Sequence, residues 1–173
     1  MCVAVRYTIN GDFKISTIGI AGQMLPVLER GHVRWYLWGQ QGGEQLVGRE
    51  RPGHIRQFPA GYHVERTAVR NLSTGEWWHF KPRPVKVAVS AFMVFRDRDG
   101  YAEDRWVELK PGEFLQGAKC QLYGAERVYI VVEDAMPANQ PGVRPPWPRI
   151  VTARPRSPLA GSGREGRAGR AGG

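Results

Sequence analysis

The sequence has 173 residues, with 25 Lys plus Arg against 16 Asp plus Glu and 42% hydrophobic residues. That length fits one domain with an appendage, and the apolar share is enough for a core over most of the chain. No apolar run reaches about 18 residues and the start lacks the basic and apolar blocks of a secretory signal, so neither a transmembrane helix nor export is expected.

Cys2 and Cys120 are the two cysteines. They make neither a disulfide framework nor a metal site, which points to a reducing, cytoplasmic setting. The net charge of +9 is unevenly spread. From Pro137 onward seven arginines face one acid, Glu165, so that segment carries +6 and residues 1–136 only +3. The same segment holds seven Pro and seven Gly in 37 positions and ends in GREGRAGRAGG. Such a composition cannot bury enough apolar surface to offset its ordering entropy. Residues 137–173 therefore read as a disordered tail, and residues 1–136 as the folded domain. Three readings of the tail stand side by side: an arginine-rich arm on phosphates, an uninvolved extension, or a shifted reading frame.

In chain order, residues 3–9 are β-branched and short, a first strand. Residues 24–28 and 33–38 are apolar runs separated by Glu29-Arg30-Gly31-His32, which predicts a hairpin. Residues 63–72 place Val64, Ala68, Val69 and Leu72 at helical spacing. Residues 85–95, VKVAVSAFMVF, predict one long strand buried on both faces or carrying a bulge. Arg96-Asp97-Arg98-Asp99-Gly100 then supplies a turn. Residues 106–109, 114–123 and 127–132 predict three further strands, split by Pro111-Gly112 and Gly124-Ala125. An α+β fold follows, mainly antiparallel β with few short helices.

The most chemical feature is Cys2. Removal of the initiator methionine, which a small second side chain favours, would leave a free α-amine beside the thiol. The amine ordinarily titrates near about 8 and the thiol near about 8.5. Two chemistries open. The thiolate can attack an acyl carbon with the amine as base, or an aldehyde can condense with the amine and close on sulfur as a thiazolidine. The other reading of Cys2 is an incidental cysteine. Elsewhere the familiar metal, phosphate and nucleotide motifs are missing. His32, His54, His63 and His79 are scattered without metal-ligand spacing, and no cofactor or metal is expected. Cys120 reads as a small buried hydrophobe. Trp35 and Trp106 read as core, whereas Trp38 and the Trp77-Trp78 pair lie near element ends, where core and base-stacking roles stay open.

With Cys2 in place, the order of segments resembles the SOS-response-associated peptidase (SRAP) family. MCVAVRY is similar to that family's Met-Cys-Gly-Arg-aromatic start, with Arg6-Tyr7 matching after two extra residues. IAGQMLPVL resembles its Ala-Pro-x-Gln stretch and Pro-Val strand, and Trp38-Gly39 its Trp-Gly pair. HVERTAV falls where the family carries Asn-Ala-Arg-x-Glu-Thr. VKVAVSAFMVF, RWVELKPGEFLQGAKCQLYG and RVYIVVEDA follow its later strands, so the resemblance spans about residues 1–135. It implies twisted sheets or a barrel, and a monomer that binds single-stranded DNA and crosslinks abasic sites through Cys2. A peptidase activity that exposes Cys2 is also implied.

The departures are specific. At the family's Asn this chain has His63 or Tyr62, at its Glu it has Val94, and after the last strand it has no His. Cys2, with His63 as substitute proton carrier, is the catalytic candidate. Arg6, Trp38, Arg66, Arg70 and Arg83 are the DNA-binding candidates. Two alternatives remain: a non-catalytic single-stranded nucleic-acid-binding module, and an N-terminal-nucleophile amidohydrolase.

Overall fold

The computed structural model describes residues 2–39, 58–70, 76–98, 101–133 and 146–153. Twelve strands carry most of these residues: β1 (Cys2–Ile9), β2 (Asp12–Thr17), β3 (Met24–Glu29), β4 (His32–Trp38), β5 (His63–Glu65), β6 (Arg83–Val87), β7 (Ala91–Arg98), β8 (Tyr101–Glu108), β9 (Glu113–Leu122), β10 (Ala125–Glu133), β11 (Trp147–Pro148) and β12 (Ile150–Thr152). One short helix, α1 (Arg66–Arg70), and a 3₁₀ turn, Glu76–Phe80, complete the described elements. Mostly antiparallel β with few helices is the architecture.

Tight hairpins set much of the register. Asn10-Gly11, Arg30-Gly31 and Tyr123-Gly124 each take two consecutive positive φ angles. That geometry matches the twist of the flanking strands, and the glycine adopts it at no steric cost. The turns join β1 to β2, β3 to β4 and β9 to β10. The β3–β4 hairpin is the one expected from Glu29-Arg30-Gly31-His32.

Two sheets result. The first is antiparallel, in the order β2-β1-β7-β8. The second runs β10-β4-β3-β6-β9 and closes when β9 pairs back onto β10. It is a small barrel. On the edge of β10 away from β9, β4 pairs with Arg127 and Val128, and β5 takes over in parallel at Ile130, Val131 and Val132.

Strand alternation then sorts the side chains. Leu25, Val27, Tyr36, Trp38, Val87, Leu115, Val128 and Ile130 form one buried cluster with Val5, Phe92 and Val94 of the first sheet. Ala118, Cys120, Leu122, Tyr129 and Val131 face the other way, under Val64, Phe80 and Trp77. Strand β10 is thus covered on both faces, which explains its unbroken VYIVV run. Close approach demands glycine at two places. A Cβ on Gly117 would sit 2.9 Å from methyls of Val85, Val87 and Val128, and one on Gly39 would sit 2.2 Å from the Tyr129 ring.

Several expectations change. The run over 85–95 is two strands in two sheets: β6 belongs to the barrel and β7 to the first sheet. The chain crosses at Ala88–Ser90, where the Ala88 amide donates to the Pro26 carbonyl and the Ser90 amide to the Arg6 carbonyl, each at 2.8 Å. The helix expected over 63–72 begins as strand β5, because His63–Glu65 pairs with β10, and turns helical at Arg66; residues 71–75 lie outside the described residues. Arg96, Asp97 and Arg98 of the expected turn belong to β7, and residues 99–100 lie outside the described residues. Strand β2 is additional. Within the expected tail, Trp147–Pro148 and Ile150–Thr152 are strands and Trp147 is buried, so the folded part reaches past residue 136; residues 137–145 and 154–173 lie outside the described residues.

The tryptophans also trade places. Trp35 is partly exposed and packs edge-on against Tyr7, and Trp106 is half-buried, whereas Trp38 is 2% exposed. On β4 the inward face is that of Tyr36 and Trp38. Among the described residues no helix is long and apolar enough to cross a membrane.

Candidate functional site

Strand β1 starts at Cys2 and pairs with β7, placing Cys2 opposite Val94; a bulge follows before Ala4. Cys2 has no exposed surface, and its Sγ lies 3.6 Å from the Ala4 carbonyl oxygen. Burial pushes the thiol up to about 12, against smaller opposing effects of the N-terminal amine and the Ala4 carbonyl. At neutral pH the sulfur is therefore protonated.

His63 opens β5, beside Ile130 of β10. It shares the face of Ile130, which belongs to the same buried cluster as Cys2. The imidazole hydrogen-bonds to the main chain of Cys2, 61 positions earlier in the sequence. Burial holds His63 down at about 4, the Cys2 contact opposes this, and the N-terminal amine adds to it. The ring is a neutral imidazole at pH 7. Among the described residues its Nε2 is buried without a hydrogen-bond partner, a costly state unless a ligand or a proton transfer uses it. The two catalytic candidates thus meet in space.

Trp38 explains how. Its Nε1 donates to the Tyr62 carbonyl at 2.9 Å, and its ring meets Tyr62 and His63 edge-on at 5.7 and 6.3 Å. The Gly39 amide donates to the Val128 carbonyl and the Ile130 amide to the Tyr62 carbonyl, which carries the ladder from β4 to β5. Trp38 is therefore a buried support beneath His63. With its ring enclosed, it offers no face on which a base could stack.

Of the arginine candidates, Arg6 pairs with Glu108 and lies over the Phe13 and Trp106 rings. Arg66 donates to Glu133 at 2.6 Å. Arg83 is exposed at the start of β6. Arg70 ends α1, and its side chain lies outside the described residues. These positions share no single strand or sheet.

Compared with protein-family models, curated proteins and solved structures, the chain has no match. Its site stands on its own geometry. Among the described residues no group of three or more His, Cys, Asp or Glu is placed to hold a metal ion.

The sequence points to Cys2, His63 and Val94 but not to Trp147, which lies in the same buried cluster as Cys2, nor to Glu133 as the partner of Arg66. Trp147 carried a signal, being the large aromatic in a Pro- and Arg-rich stretch.

Proposed function

We propose that this chain captures the aldehyde of abasic sites in single-stranded DNA through Cys2, as the resemblance to the SRAP family implies. The observation that carries the reading is that His63, a neutral imidazole whose Nε2 has no partner among the described residues, hydrogen-bonds to the main chain of Cys2. In the proposed reaction the freed α-amine adds to the aldehyde carbon, takes up one proton from solvent and loses water, giving an iminium. The thiol sulfur then adds to the same carbon while its proton passes to Nε2 of His63 and from there back to solvent, closing the thiazolidine. Overall one water is released and no oxidant is needed. A neutral imidazole suits that proton transfer, since an imidazolium could not accept.

A second reading keeps the DNA and drops the chemistry. The Val94 side chain opposite Cys2 cannot move a proton, and the enclosed thiol is not a ready nucleophile, which favours a binding module. One experiment separates the two. Protein whose mass confirms loss of Met1 is mixed with single-stranded DNA holding one abasic site and run on a denaturing gel. A covalent band that Cys2→Ser abolishes supports capture. Reversible binding without a band supports the module, and a binding constant indifferent to salt removes both.

A further inference from the structure

Strands β9 and β10 pair as far as Gly117 and Ile130 and then separate. Residues 147–152 enter the opening between them. Trp147 and Pro148 pair with Glu133 and Val132 of β10, while Ile150, Val151 and Thr152 pair with Leu115, Phe114 and Glu113 of β9. Between these short strands the Arg149 amide donates to the Val131 carbonyl at 2.9 Å, and the Arg149 carbonyl accepts from the Gln116 amide at 2.8 Å. One residue thus bridges both strands.

The segment has one large anchor. Trp147 is 5% exposed and meets the Phe92 ring edge-on at 5.1 Å. Phe92 lies two residues from Val94 on the same face of β7, and Val94 is the partner of Cys2. Trp147 and Cys2 accordingly belong to one cluster, whereas Cys120 belongs to the other. A polar tie completes the attachment: Arg149 lies 3.5 Å from the Glu133 carboxylate that also takes Arg66.

We propose that residues 146–153 form a detachable strap that controls access to Cys2. The barrel circuit of β3, β4, β6, β9 and β10 closes through the β9–β10 pairing without the strap. Short strands held by a few hydrogen bonds open locally at far lower cost than such a circuit. Departure of Trp147 removes the cover of the cluster that encloses the sulfur, while the cluster around Cys120 stays shut. The proposal rests on the reading of Cys2 as the reactive group. Its test reads thiol exposure and not aldehyde capture, so the two can fail separately.

The test is site-resolved alkylation of the full chain by N-ethylmaleimide under native conditions, with Cys120 as internal reference. Trp147→Ala is expected to speed labelling of Cys2 by about ten-fold or more and to leave Cys120 unchanged. Equal acceleration at both cysteines, or none at Cys2, overturns the strap. If the variant does not fold, hydrogen exchange of the unaltered protein decides. The Arg149 and Gln116 amides, bonded across the strap, should exchange about ten-fold or more faster than the Gly39 amide, bonded within the barrel. Exchange as slow as that of Gly39 overturns it.

Discussion

Val94 faces Cys2 directly across the β1–β7 ladder, and both side chains are fully buried. The position opposite Cys2, the proposed reactive group, is thus occupied by two methyl groups. A carboxyl there would be desolvated, its pKa raised toward neutrality, and so suited to moving a proton. Val94→Glu should lower stability by about 2–5 kcal/mol, the cost of burying an unsatisfied polar group. The same substitution should raise the rate of aldehyde capture by about 10²-fold or more. Val94→Gln should show the destabilisation without the gain. Single-turnover kinetics and thermal melts of the two variants check this.

His63 makes folding sensitive to mild acid. Its folded-state value lies near 4, below its ordinary 6.5. Between those values the unfolded chain binds a proton that the folded chain refuses, so stability falls as pH drops through that window. The full effect is at most about 3 kcal/mol. His63→Gln should flatten the fall in melting temperature between about pH 7 and pH 5. Glu29 acts elsewhere. Its carboxyl is held low mainly by the hydrogen bond from Lys119, so its contribution is lost only as pH falls below its ordinary 4.5. Glu29→Gln should leave the slope above pH 5 unchanged, and an equal flattening by both variants would contradict the assignment.

Two glycines are required by packing. Gly117→Ala forces a methyl among three valine methyls inside the barrel and should cost about 1–3 kcal/mol. Gly39→Ala collides with the Tyr129 ring and should cost more. In a domain of this size each 1 kcal/mol lowers the melting temperature by about 2–4 °C. Unchanged melts would show that the rings and methyls yield.

Arg83 differs from the other described arginine candidates in being exposed on its strand. If the chain binds single-stranded DNA, Arg83→Ala should weaken binding equally for all sequences and reduce the salt slope by about 0.7. Arg66→Ala should act otherwise, since Arg66 is committed to Glu133. Its expected effect is on the melting temperature, and titrations at several salt concentrations separate the two.

Much of the β framework was legible because local chemistry dictates it. Gly31 with Arg30 sets a tight turn between two apolar runs, and Tyr123-Gly124 does the same later. Asn10-Gly11 carried an equally strong signal, although β2, the strand it begins, is an exposed DFKIST with little apolar character. The crossing at Ala88–Ser90 was not legible, because no glycine or proline marks it and the bonds that turn the chain come from Pro26 and Arg6. The β11–β12 segment was hidden by its composition, since Pro and Arg dominate around the single Trp147 that anchors it. Cys2 and His63 could each be named from the sequence. Their meeting could not, since it depends on β5 taking over from β4 along β10, a parallel pairing that no local pattern encodes.

The most direct test of the central claim is the intact mass of the protein, Met1 absent, after incubation with single-stranded DNA carrying one abasic site. The expected product is an adduct equal to protein plus DNA less one water, absent with undamaged DNA, absent in Cys2→Ser and slowed in His63→Gln. Correctly processed protein that binds this DNA yet gains no mass would contradict it.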